Sequence, residues 1–501
     1  MEIKSIEYLV FCFIICAAYF ALYKSKLQKY VLLAADVFCV VAMSDFRSLA
    51  VIVCITAAVF VVGKSIEKAE TKNKKKVLMY IGMFFSIGVL VYFKFFRHTF
   101  AAVQVLFSGV GIELTDLIVP VGLSYYTLSL SGYILDIYHG KYKTEESFID
   151  FLCFIMFFPA IIEGPINLYK KIIPQIKENH SFDFDRMVGG LIRMLWGYFK
   201  KVVIADRIGI IVMGILSDKE TNGSLILLAL ILYSFQIYGD FSGGIDVIMG
   251  VSEILGFNLT ENFNAPLISK SVTEYWQRWH KSLGEWMEKY IYYPIVLNKN
   301  LLKFSKKIKN KHMSKAFSAT LASVIVFVVV GVWHGTGWNY VVYGLYQALF
   351  VASAVALMPV YRSIKNKLHI NEKCISWQIF CVLRTFTFLL FGRLLIKASN
   401  LEQAGELIGR LCKFDNWGAL FDGSIFEFGL DYKNFYVMII GILILIVTDI
   451  LQYNKISIRE LILKQDIVFR YSVYMIGIFA IIIFGIYGPG FDASSFIYQG
   501  F

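Results

Sequence analysis

The chain has 501 residues, 57% of them hydrophobic and 17% charged, with a net charge of +12 and a mean hydropathy of +0.63. Soluble domains are about a quarter charged, so this composition excludes an ordinary soluble protein. The basic excess does not describe a nucleic-acid surface either, because it gathers in short loops between apolar runs.

Apolar runs near 7–23, 30–45, 48–63, 77–93, 118–138, 148–163, 188–205, 223–239, 241–257, 316–333, 340–358, 376–396, 434–452 and 471–488 predict an all-α polytopic membrane protein. Some of these runs must be re-entrant or interfacial, which leaves eleven to fourteen transmembrane helices. The first run is followed by "KSK" and by no small-residue cleavage site, so it reads as a retained span rather than a signal peptide. Lysines 24, 26 and 29, then 64, 68, 72 and 74–76, then those of 299–315 and the basic residues of 362–373 mark cytoplasmic loops. The N-terminus then lies outside. The eight cysteines are scattered without a CxxC pair, so they read as small hydrophobes rather than metal ligands or disulfides. With no repeat or soluble segment, residues 1–501 read as a single membrane-embedded domain.

Four stretches carry polar groups where the chain is otherwise apolar. In "FFPAIIEGPI", 157–166, Glu163 stands between Pro159 and Pro165, a broken segment of the kind tolerated beside a cavity. In "FQIYGDFSGGIDVIMG", 235–250, Asp240 and Asp246 must pair or meet water, with Ser242 between them. Gly239, Gly243 and Gly244 suit close helix packing or a break. Asp240 could orient a histidine, line a wet path or form a structural ion pair.

In "SVTEYWQRWHKSLGEWMEKYIYYPI", 271–295, Ser271 and Glu274 resemble a capping box, and Trp276, Trp279, His280, Leu283, Trp286 and Met287 recur at helical spacing. This predicts one amphipathic helix at the cytoplasmic interface, with Glu274–Arg278, Lys281–Glu285 and Glu285–Lys289 as i,i+4 pairs. His280 is then either an interfacial histidine bonded to a carbonyl or a polar group at a cavity mouth. In "GVWHGTGWNY", 331–340, His334 follows Trp333 at the end of a span of roughly 27 Å. The flanking basic loops place both helices' far ends on one side, so His334 sits at the outer turn of a hairpin. Gly335 and Gly337 would free the backbone and admit a substrate. In a low-dielectric setting this imidazole stays neutral, the form that takes a proton from a hydroxyl. A hydrogen-bonded hairpin histidine is the structural alternative.

Taken in order, "VPVGLSYYTLSLSGYILDIYHG", "FFPAIIEGPI", "KKVVIAD", "FQIYGDFSGGID", "GFNLTENFNAPLISKSVTEYWQRWHKSLGEWMEKYIYYPI" and "GVWHGTGWNYVVYGLYQAL" resemble the membrane-bound O-acyltransferase (MBOAT) family, and within it the bacterial alginate O-acetyltransferase branch. These motifs cover 118–350 densely. The resemblance implies a bundle of eleven or more helices around a central funnel. It places the proposed catalytic histidine of "WHG" on His334 and the "RWH" histidine on His280. It also implies an acyl donor such as acetyl-CoA from the cytoplasmic side, an extracellular polysaccharide acceptor, an SGNH-type extracytoplasmic partner, surrounding lipid, and no metal, bound cofactor or nucleic acid.

In this reading Trp276, Arg278, Trp279, Asp240, Ser242, Asp246, Trp333 and an asparagine beside Phe263 in "NFNAP" line the funnel, and Arg278 suits a phosphate or carboxylate of the donor. The sequence departs from the family pattern at Gly239 and Gly244, at Arg393 and Lys397 in "FGRLLIKAS", and in the "FIYQGF" tail. The expected reaction is O-acetylation of a polysaccharide. Alternatives are D-alanyl transfer from a carrier protein to teichoic acid and a transporter or flippase without covalent chemistry.

Overall fold

The computed structural model describes residues 1–96, 119–221 and 223–487, and the "FIYQGF" tail lies outside them. The described residues contain α-, π- and 3-10 helices and no strand. That is the expected result for a chain whose backbone must satisfy its own hydrogen bonds in lipid. Among the described residues, eight helices are long and apolar enough to cross a membrane: Phe46–Lys68, Lys72–Phe96, Gly223–Ile254, Lys311–His334, Trp338–Ala356, Ile375–Lys397, Tyr432–Tyr453 and Ile467–Phe484. Ile6–Ala21 is apolar but only 16 residues long. The protein is a multi-pass membrane protein.

Several expected spans take another form. The runs at 223–239 and 241–257 are one continuous 32-residue helix, Gly223–Ile254. Its glycines do not break it but let a neighbour approach: a Cβ on Gly243 would lie 2.8 Å from the Gly197 carbonyl oxygen. The run at 148–163 is a nine-residue helix, Phe148–Met156, followed by non-helical backbone through "FFPAIIEGPI". Phe157, Ala160, Ile161, Pro165 and Ile166 of that stretch line a small cavity with Tyr125, in agreement with its two prolines. Burial separates the spans sharply. The Gly223–Ile254 window is 78% buried and that of Ile467–Phe484 0%, so the first is a core helix and the second lies at the periphery, with no fully buried residue.

The described chain forms two compact units, one of Met1–Met194 with Gly244–Thr260 and one of Leu195–Gly243 with Glu261–Ile497. In the first, Asp36 accepts from the backbone N–H of Phe158 at 2.7 Å, and Gln28 binds both the N–H and the carbonyl of His180. These polar contacts tie the N-terminal helices to the broken segment and to the loop at His180. Both histidines of interest belong to the second unit.

Candidate active site

The hairpin of Lys311–His334 and Trp338–Ala356 forms as its sequence requires, and His334 is the last helical residue of the first arm. The glycines have a different task from the expected one. Gly335 is extended, with φ −173°, a conformation open to any residue. A Cβ there would stand 2.2 Å from the Tyr340 ring, and one on Gly331 would stand 2.3 Å from the Tyr340 carbonyl oxygen. They are small because the two arms pack against each other, not because a substrate passes.

The "RWH" segment departs most from expectation. The single amphipathic helix is broken into Val272–Arg278 and Lys281–Met287, and His280 between them is left-handed, with φ 48° and ψ 54°. A non-glycine residue adopts this region at a cost of about 1–3 kcal/mol, so neighbouring contacts must impose it. They come from "NFNAP". Asn262 Oδ1 accepts from Ser282 N–H at 2.9 Å and lies 3.4 Å from His280 Nδ1, and the Asn262 carbonyl accepts from Lys281 N–H at 3.0 Å. Asn264 N–H donates to the Arg278 carbonyl at 3.0 Å. A loop has taken the hydrogen bonds that would have continued the helix. The capping residues act as read: Ser271 Oγ accepts from Glu274 N–H, while the Glu274 carboxylate accepts from Lys270 N–H.

The break turns His280 inward. Its ring is 2% exposed and meets Phe241 edge-on at 4.9 Å and Trp333 at 6.1 Å. His334, 4% exposed, lies 5.0 Å from the Trp333 ring and 6.2 Å from Tyr343. The two histidines therefore do not stand at opposite mouths of the protein. They share Trp333 and are close enough for one ring's charge to be felt by the other. Burial first, and the neighbouring His334 second, push the His280 imidazole down to about 3. It is neutral at any physiological pH.

The other candidate residues divide into packing and ion pairs. Trp279 is buried, stacked on Tyr275 at 5.5 Å and edge-on to Phe263 at 5.0 Å. Trp276 Nε1 donates to Gln347 Oε1 at 3.3 Å and its ring packs on Phe327, so it faces the helix hairpin rather than a cytoplasmic opening. Arg278 is held by Glu274 at 2.9 Å, by the Asn264 carbonyl at 3.0 Å and over the Tyr453 ring at 4.4 Å, so its guanidinium is already engaged.

Asp240, Ser242 and Asp246 are likewise each taken up by a cation. Buried Lys201 donates to Asp240 at 2.5 Å and to Asp206 at 2.8 Å, and Lys200 donates to Ser242 Oγ at 2.8 Å. Arg193 binds Asp246 at 3.0 Å within the first unit. Asp240 is thus ion-paired, with the buried Lys201 of another helix as its partner. Sequence reasoning missed that both lysines of "KKVVIAD" answer "GDFS". The signal available was two adjacent lysines in an apolar run, each of which needs a buried counter-group. Among the described residues no cluster of three or more potential metal ligands occurs.

Comparison with known proteins bears on this arrangement directly. The membrane-bound O-acyltransferase family model matches residues 143–392. The chain is 28% identical over 418 residues to a probable alginate O-acetylase of Pseudomonas syringae, covering 81% of this chain and 75% of the relative. It is 27% identical over 381 residues to a peptidoglycan O-acetyltransferase of Helicobacter pylori, covering 70% and 67%. A teichoic acid D-alanyltransferase of Bacillus subtilis is 30% identical over 288 residues, covering 55% of this chain and 68% of the relative. The "RWH" and "WHG" segments that the fold draws around Trp333 lie inside the matched region, and the chain belongs to the membrane-bound O-acyltransferase family as an O-acyltransferase.

Proposed function

We propose that the protein transfers an acetyl group from acetyl-CoA, reached from the cytoplasm, to a hydroxyl of an extracellular polysaccharide, with His334 as general base. The observation that carries this is the pairing of two buried imidazoles, 54 positions apart in sequence (334 − 280), around one tryptophan. Two titratable rings brought together in a largely aromatic surrounding suit a site where a proton must be taken up and passed on.

In the reaction, neutral His334 removes the proton of the acceptor hydroxyl as its oxygen attacks the thioester carbonyl. The C–O bond forms, the C–S bond breaks, and the departing thiolate takes a proton from the imidazolium, which returns to its neutral state. His280, held neutral by burial, assists that proton movement. Asn262 fixes which of its nitrogens faces the centre, and Trp333 sets the spacing of the two rings. No step requires a metal. An SGNH-type extracytoplasmic partner would complete delivery to the glycan, with the N-terminus on the same outer side of a bacterial plasma membrane.

D-alanyl transfer to teichoic acid is the second reading, supported by the Bacillus relative over a smaller share of the chain. Protein purified and reconstituted in vesicles is supplied with labelled acetyl-CoA and, separately, with a D-alanyl-loaded carrier protein. Acetyl consumption that disappears in His334→Ala supports the proposal. Use of the carrier alone selects the second reading, and glycan movement without labelled product means a flippase.

A further inference from the structure

The helix Ile375–Lys397 carries two cations on one face, four residues apart, and the first has no counter-charge. Arg393 is 5% exposed, and neither Nη1 nor Nη2 makes a hydrogen bond. Among the described residues no carboxylate lies within ion-pair distance of it. Its guanidinium carbon lies 5.9 Å from the Tyr275 ring and 5.7 Å from the Phe386 ring. The Tyr275 hydroxyl stands near it without a well-aligned hydrogen bond. One turn on, half-buried Lys397 lies over the Tyr233 ring at 5.2 Å. Asp240, the carboxylate facing Tyr233, is already paired with Lys201.

Aromatic faces return only part of what removing a guanidinium from water costs. The helix C-terminus offers Lys397 a partial negative charge, and Arg393 lies a turn deeper. A buried fork of unmatched donors is complementary to a carboxylate or phosphate, which it grips by two parallel hydrogen bonds.

Its position gives the site a meaning. Asn339, five residues after His334, donates from Nδ2 to the carbonyls of Leu395 and Ala398 at 3.1 and 2.9 Å, which fixes this end of the helix to the hairpin turn. A Cβ on Gly392 would lie 2.5 Å from Gln347 Nε2, so the helix is drawn tightly against Trp338–Ala356. Tyr343 feels the Arg393 charge and also stands 6.2 Å from the His334 ring. We infer that Arg393 and Lys397 form an anion-binding subsite one tyrosine away from His334, which holds a carboxylate or phosphate group of the acceptor beside the hydroxyl to be acylated. The assignment to the acceptor rests on the proposed acyl transfer, and the existence of the anion site does not.

The test uses full-length protein in detergent with three probes: a di-galacturonate, its uncharged galactose counterpart, and coenzyme A. Affinity and the midpoint of thermal unfolding are measured for wild type, Arg393→Gln, Arg393→Lys and Lys397→Gln. Wild type should bind the acidic disaccharide and not the neutral one. Arg393→Gln should weaken that binding by about tenfold or more, as the loss of two charge-assisted hydrogen bonds implies, with Arg393→Lys in between and coenzyme A binding unchanged. Without probe, Arg393→Gln should unfold at an equal or higher temperature, because it removes an unmatched buried charge. A lower midpoint with unaltered disaccharide binding makes Arg393 a packing residue and overturns the inference. Selective loss of coenzyme A binding, or of stabilisation by phosphatidylglycerol, moves the anion to the donor or to lipid and overturns the assignment to the acceptor. Anion binding that persists in a protein without acyl transfer faults the proposed function instead.

Discussion

Two polar regions of the second unit are buried to the same degree and solve that burial in opposite ways. Around Lys201, charge is matched within the chain: one ammonium meets Asp206 and Asp240, and Lys200 meets Ser242. Around Trp333, two imidazoles are buried among aromatic rings, and Arg393 nearby keeps its Nη donors open. In the first region each carboxylate meets an ammonium. In the second the Nη donors of Arg393 are left over, and in a medium that penalises unmet polarity such a group invites a ligand. Depth of burial alone distinguishes nothing; the partner does.

The contrast breaks most directly at its two centres. His334→Ala should lower acyl transfer by about 10²–10⁴-fold, the usual contribution of a general base, while leaving the unfolding midpoint near wild type. Retained turnover in reconstituted vesicles would return His334 to a structural role. Lys201→Met should do the reverse. Two carboxylates stranded in the core cost about 3–5 kcal/mol, seen as lost folded yield in detergent, and adding Asp240→Asn should recover part of it. If Lys201→Met instead folded normally and lost only activity, the ion-pair region would belong to the site.

Smaller effects sharpen the comparison. Asn262→Ala leaves the Ser282 N–H without its acceptor and releases the left-handed turn at His280. It should cost about 1–3 kcal/mol of stability and lower kcat more than it raises KM, and an unchanged kcat would show that His280 needs no positioning. Gly335→Ala should cost about 1–3 kcal/mol through overpacking against Tyr340, read as a lower thermal midpoint.

The remaining effect is on pH dependence. His280 is pushed down to about 3 in the folded protein, whereas unfolded histidine titrates near 6.5. The unfolded state therefore binds the extra proton first, so the stability associated with the neutral ring is full above about 6.5 and declines as pH falls toward 3. Thermal midpoints measured between pH 7 and 4 should fall less in His280→Gln than in wild type. Equal slopes would mean that the ring is not desolvated.

The helical class and the hairpin around "WHG" were legible in the sequence. Hydropathy follows composition over twenty residues, and a histidine between apolar runs is conspicuous. The breaks were not. "TEYWQRWHKSLGEW" has unbroken helical periodicity, and the turn at His280 comes from Asn262, 18 positions upstream, capturing the backbone. The glycines of "GDFSGG" allowed either close packing or a break, and the helix runs on with Gly243 admitting the backbone at Gly197. Sequence patterns report what a segment prefers by itself, and these outcomes were settled by neighbours.

Thus the sequence alone determined that this chain is a helical membrane protein and which few titratable groups it can ill afford to bury, because solvent preference is carried by each residue. Tertiary structure alone decided which of those groups meet a counter-charge and which lie among aromatic rings. Counter-charges and hydrogen-bond acceptors arrive from distant segments, and their placement depends on packing that no local pattern encodes.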